Sequence, residues 1–191
     1  MASPAVQRHR WHRREYERAV AAGVFAPEAR LELVDGEIVE MTPQGSRHSS
    51  AVRLVEEALR RAFPPGQGWD VRVQMPLALD EASEPEPDVA VVRGGPRDYV
   101  EAHPGPADTL LVVEVAEATL RWDLETKAPL YGRAGIPECW VLDLPGRRLH
   151  VMRGPAPAGW REARTLDAAG SVRPAAAPAG AGPVPVADLL P

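Results

Sequence analysis

The chain has little of several things, and each shortage narrows what it can be. Cysteine occurs once, at Cys139, so no intrachain disulfide can form, and a reducing, cytoplasmic setting is the expectation. Cys139 sits in an apolar run with Trp140, Val141 and Leu142, where a thiol is a small buried side chain rather than a nucleophile. No stretch approaches 18 apolar residues, and the first twenty residues hold no apolar signal core. Positive charge is also short: 22 Lys and Arg against 27 Asp and Glu leave a net charge of −5. That argues against a broad basic surface for nonspecific nucleic-acid binding, though not against a local basic groove. No internal repeat is visible.

What remains is an ordinary globular composition, 45% hydrophobic and 26% charged over 191 residues. The divisions expected are an N-terminal helical segment (1–29), a main domain (30–168) and a Pro/Ala/Gly-rich tail (169–191). Residues 11–22 read as a helix stopped by Gly23, behind a solvated basic end from Arg8 to Arg14. Asp35-Gly36 between alternating runs predicts a hairpin over 30–41. Ser46 is a candidate cap for a helix reaching Phe63, with His48 on its apolar face. Strands are expected at 69–79, 88–92, 109–115, 138–144, 148–152 and 160–166. A helix is expected over 123–134, capped by Asp123 and interrupted by Pro129. The order implies an α/β fold, a mixed sheet with helices against it.

Within this layout one stretch stands out. Asp88 opens an apolar strand, and Glu114 lies near the end of another. Buried carboxylates are costly unless paired or metal-bound. If the two strands are neighbours, both acids fall within one coordination sphere, which suits magnesium or manganese. Phosphodiester hydrolysis is the reaction such a site usually serves. Lys127 shares a helix face with Asp123, Leu124 and Tyr131. Drawn inward, its ammonium would orient water and stabilise negative charge, with Asp123 orienting it in turn. A purely structural reading stands beside this one. Asp123 and Lys127 would then be a surface ion pair, Asp88 a turn residue, and Glu114 a structural partner of Lys127.

The order Pro87-Asp88, Glu114, Asp123, Lys127, Tyr131, Gly135-Ile136-Pro137-Glu138 and Trp140 resembles the Uma-two family of restriction-endonuclease-like proteins. That family lies within the PD-(D/E)XK nuclease superfamily. Upstream, Glu32 to Ile38, Met41-Thr42-Pro43, Gly45 to His48 and Gln74-Met75-Pro76 share the likeness, which covers roughly residues 11–152. The resemblance implies a restriction-endonuclease-like mixed β-sheet core flanked by helices. An N-terminal helix and hairpin would precede it and an antiparallel extension follow it. It implies Asp88 and Glu114 as ligands of Mg or Mn, and Glu32 and His48 as supporting residues. The superfamily places a lysine two residues after the glutamate, on the same strand; here that position is Ala116, and Lys127 supplies the charge from the following helix. The activity implied is metal-dependent cleavage of DNA, the alternative a catalytically inactive nucleic-acid- or protein-interaction module. A homodimer is a further expectation, with the 145–166 meander offering an edge for pairing.

Overall fold

The computed structural model describes residues 8–191. The first seven residues of the expected N-terminal segment lie outside that range. Helix α1 (Arg13–Ala21) is followed by a separate hairpin, β1 (Leu31–Val34) and β2 (Glu37–Glu40). Then come α2 (Ser46–Ala62), β3 (Trp69–Val73), β4 (Val89–Arg93) and β5 (Thr109–Ala116). Helix α3 has three parts: Leu120–Trp122, a π turn at Asp123–Lys127, and Ala128–Ala134. β6 (Glu138–Asp143), β7 (Arg148–Ala156) and β8 (Gly159–Asp167) complete the main sheet, and β9 (Ser171–Val172) pairs with β10 (Val184–Pro185).

The six-stranded sheet runs β3-β4-β5-β6-β7-β8, antiparallel except for β5 against β6. It is therefore mixed, as the sequence implied. β5 is apolar on both faces, and all eight of its residues are buried. Its odd positions Leu111, Val113 and Val115 pack with Val52, Val55 and Leu59 of α2. Its even positions Val112 and Ala116 pack with Leu130 and Tyr131 of α3. Burying each such Val or Leu stabilises the fold by about 1.5–3 kcal/mol. Alternation thus puts Glu114 on the α3 side.

The hairpin forms as its turn demands. Asp35 and Gly36 both take positive φ, 49° and 76°, as a two-residue turn of this twist requires. A lone two-stranded ribbon is marginal in water. This one is held by Val34 in the α3-side core and by reciprocal backbone bonds between Leu33 and Glu84. The basic N-terminal end is partly tied down rather than wholly solvated. Trp11 N–H donates to the Gly36 carbonyl, and the Arg13 guanidinium reaches Glu17 and the Asp80 carbonyl.

Several boundaries differ from expectation, each for a local reason. The strand expected to 79 ends at Val73, because Gln74 turns to φ 50° and Pro76 has no N–H to pair. Ser46 opens α2 as its first residue, while Gly45 holds the cap position. α3 begins at Leu120, so Asp123 lies inside it and Thr119 precedes it. The π turn closes with Ala128 N–H on the Asp123 carbonyl, just ahead of Pro129, which has no N–H to give. The tail packs along the body, and besides its terminal Leu189 and Leu190 it buries Val172, Val184 and Val186 in the core beside α2. Among the described residues no helix is long and apolar enough to cross a membrane.

Two stability predictions arise here. Gly132 of α3 crosses the β8 backbone so closely that an added Cβ would lie 2.6 Å from the Gly159 carbonyl carbon and 2.9 Å from its Cα. Backbone cannot yield as a side-chain tip can, so Gly132→Ala is expected to cost about 1–3 kcal/mol in urea unfolding. An unchanged unfolding midpoint would count against this packing. The second concerns Glu84, buried beside Glu17 with Arg13 only at 3.8 Å. Burial first, then Glu17, push its carboxyl up to about 7. The folded chain then holds a proton that the unfolded chain has released, so this group's stability contribution falls as pH rises from about 4.5 to about 7. Glu84→Gln is therefore expected to melt higher than wild type at pH 8, by roughly 1 kcal/mol or more, and no higher at pH 4. Melting curves that differ equally at both pH values would refute it.

Candidate active site

Asp88, Glu114 and Lys127 converge. β4 and β5 are antiparallel neighbours, with Val89 opposite Val113. One more step of that register sets Asp88 across from Glu114. Asp88 is tightly held. Its Oδ2 accepts the Val115 N–H at 2.8 Å. Its Oδ1 lies 3.0 Å from His48 Nε2 and accepts from Gln74 Nε2 at 3.2 Å. Burial alone would raise its pKa, but the His48 hydrogen bond and charge and the Val115 N–H outweigh burial, and the net shift is downward. His48 moves the other way for the same reason. Burial opposes its charge, but Asp88 more than compensates and raises it.

Lys127 points inward and is 1% exposed. Its Nζ lies 2.9 Å from Glu114 Oε1 and 3.0 Å from Glu32 Oε2. Burial disfavours the ammonium, but Glu114 and Glu32 outweigh that and raise its pKa. The π turn widens α3 where Lys127 enters, and such turns recur at functional sites. Glu114 Oε1 also accepts the Tyr131 hydroxyl at 2.5 Å. Even so, burial pushes Glu114 up to about 8, with Lys127 pulling down and Asp123, Asp88 and Glu32 pushing further up.

Of the supporting residues, Glu32 is buried at its hairpin and pairs with Lys127. Asp123 lines the same pocket and is buried, but it does not orient Lys127 by contact. It accepts the Thr119 hydroxyl at 2.6 Å, while Glu32 and Glu114 hold the ammonium. Burial, reinforced by Asp88 and Glu32, raises Asp123 to about 6. Gln74 and Tyr131, which the sequence marks only as part of the family likeness, act with the Val115 N–H as positioning groups.

The pocket around these groups is lined by six carboxylates, from Glu32, Glu86, Asp88, Glu114, Glu117 and Asp123. Against them stand Lys127, Arg30 and the partly buried His48. Glu32 Oε2 is buried and accepts no aligned hydrogen bond despite the nearby ammonium. Oxygen donors in surplus, with three of the acids, Glu86, Glu114 and Asp123, pushed up in pKa, fit a hard divalent cation. Among the described residues no three His, Cys, Asp or Glu side chains converge as a complete ligand set.

A family model for Uma2, described as "Putative restriction endonuclease", matches residues 13–186. The chain belongs to the Uma2 family. The match takes in all of the main sheet and the pocket just described. The Uma2 chain is also similar in fold to a crystal structure from Anabaena variabilis, titled a putative nuclease belonging to DUF820. The likeness has a TM-score of 0.65 at 17% identity and covers 85% of this chain and 90% of that one. At that identity it speaks to the fold alone. No curated protein gives a significant match.

Proposed function

We propose that this Uma2 chain is a metal-dependent endonuclease that hydrolyses DNA phosphodiester bonds. The observation that carries the reading is the buried cross-strand pair Asp88 and Glu114 with Lys127 locked beside it. Asp88 and Glu114 would hold Mg or Mn. Bound there, the ion would polarise the scissile phosphate and lower the pKa of the attacking water. The chain's own groups do the rest. His48, Gln74 and the Val115 N–H fix Asp88 as an acceptor, and Tyr131 and Lys127 fix Glu114. Lys127 stays protonated, so it serves as a positive charge beside the developing phosphorane and not as the base. Arg30 and the uncapped N-terminus of α2 at Gly45 line the same pocket and favour a phosphate there. Cutting both strands of a duplex calls for two such sites, hence for a pair of chains.

Titration with manganese in a calorimeter tests the reading. Wild type is expected to take up one ion, and Glu114→Gln to bind at least about tenfold more weakly. No uptake by wild type would leave the second reading, a binding module that keeps the fold without the chemistry. The closed Glu32–Lys127–Glu114 cluster and the net charge of −5 favour that reading.

A further inference from the structure

β8 ends the main sheet, and among the described residues no strand pairs with its outer edge. It is nine residues long, and Arg161 to Thr165 are exposed on both faces. Long open edges are templates for further pairing, and natural sheets usually blunt them with charged side chains, proline, a bulge or a cover; β8 carries charges, of both signs. From Trp160 to Leu166 there is no proline, and the pairing with β7 keeps one register throughout. The opposite edge differs: β3 has five residues and ends where Gln74 takes a left-handed φ of 50°, two residues before Pro76.

We propose that β8 is a self-pairing edge, joining β8 of a second copy of this chain in antiparallel fashion about a twofold axis at Ala163. The charge order selects that register. Centred on Ala163, Glu162 of each copy faces Arg164 of the other, so two ion pairs form across the axis. Trp160 faces Leu166 at both ends, and Arg161 faces Thr165. Glu162 and Arg164 alternate onto one face, so the two ion pairs lie in one row, while Trp160 turns to α3, its indole N–H on the Ala128 carbonyl, and Leu166 packs on the α2 side. A shift of the axis to Glu162 sets that acid against its own copy, and a shift to Arg164 does the same with two guanidiniums. Like charges directly opposite are destabilising, so both neighbouring symmetric registers are disfavoured. The contact is isologous and closed, which gives a dimer rather than a fibre. β8 lies three strands from β5, so the pairing does not involve the carboxylate pocket and does not depend on the nuclease reading.

Size-exclusion chromatography with light scattering tests it on the full chain. Wild type is expected at twice the chain mass of 20.7 kDa. Glu162→Arg and Arg164→Glu each set like charges across the axis and are expected to weaken the dimer at least about tenfold. The double exchange E162R/R164E restores both pairs and is expected to restore the dimer. Circular dichroism confirms that each variant is folded, which exposed positions favour. A wild type that stays monomeric at every concentration overturns the proposal. So does a dimer that survives both single changes, or a double exchange that fails to recover it. A chain that dimerises this way but binds no manganese would sink the nuclease reading and leave the pairing standing.

Discussion

Lys127→Met is expected to destabilise the folded chain by about 3–5 kcal/mol, the usual cost of removing one partner from a buried ion pair. Glu32 and Glu114 are 4% and 3% exposed, and both rely on this ammonium. Methionine matches the length of the lysine stem, so the loss is electrostatic rather than a cavity. At about 2–4 °C per kcal/mol for a chain of this size, the melting temperature should fall by roughly 10 °C. The double change Lys127→Met with Glu114→Gln removes one of the two carboxyl groups left without the ammonium and should recover part of the loss. A Lys127→Met variant as stable as wild type would mean that the ammonium is not the counter-ion of this cluster. The same lysine clamps the hairpin to α3, so limited proteolysis should cut the hairpin sooner in the variant.

The sheet was legible because its signals are local. Asp35-Gly36 fixes a hairpin whatever surrounds it, and the apolar run at 110–115 can only be a covered central strand. Helix α3 was less so. Asp123 is a cap by residue type and Pro129 an interruption, yet the helix starts at Leu120 and the π turn shifts the hydrogen bonds one residue along ahead of the proline. No periodicity of side chains announces an extra residue in a turn. The tail's further contacts escaped for another reason: Val172, Val184 and Val186 are spread among Pro, Ala and Gly, and their burial depends on the face of α2 they meet.

In the pocket, the acids and the lysine stand out by residue pattern, whereas Glu32 and His48 came only with the family likeness, and the bonds that Gln74 and Tyr131 make were not legible. Asp88 and Glu114 are acids in apolar strands, a conflict visible in the sequence alone. Glu32 resembles Glu37 and Glu40 by alternation. It is buried only because Lys127, 95 residues away, meets it. Gln74 and Tyr131 look like a strand-end amide and a core aromatic. Their roles come from a left-handed backbone that swings the amide onto Asp88 and from a hydroxyl that finds Glu114. Long-range polar pairing leaves no periodic trace.

Asp88→Ala is expected to lower metal-dependent cleavage of plasmid DNA by about 10³-fold or more, because a bound cation acting on phosphate contributes several kcal/mol to the barrier. The fold should largely survive. The change strips an acceptor from the Val115 N–H and from His48, a cost of about 1–3 kcal/mol, but it also removes one of six crowded carboxylates. His48→Ala separates holding from ligating. It leaves Asp88 in place but free to turn, and losses of such supporting groups run to about 10–100-fold in metal affinity or activity. The graded order, wild type over His48→Ala over Asp88→Ala, is therefore the signature of a metal held at Asp88. Equal cleavage by wild type and Asp88→Ala would remove Asp88 from the chemistry. An equal loss in both variants with normal manganese uptake would instead make the His48–Asp88 pair a proton carrier. Because Asp88 stays ionised to low pH while His48 is held toward its charged form, the two outcomes differ in what they ask of the pair: a fixed anion for the metal, or a proton that moves.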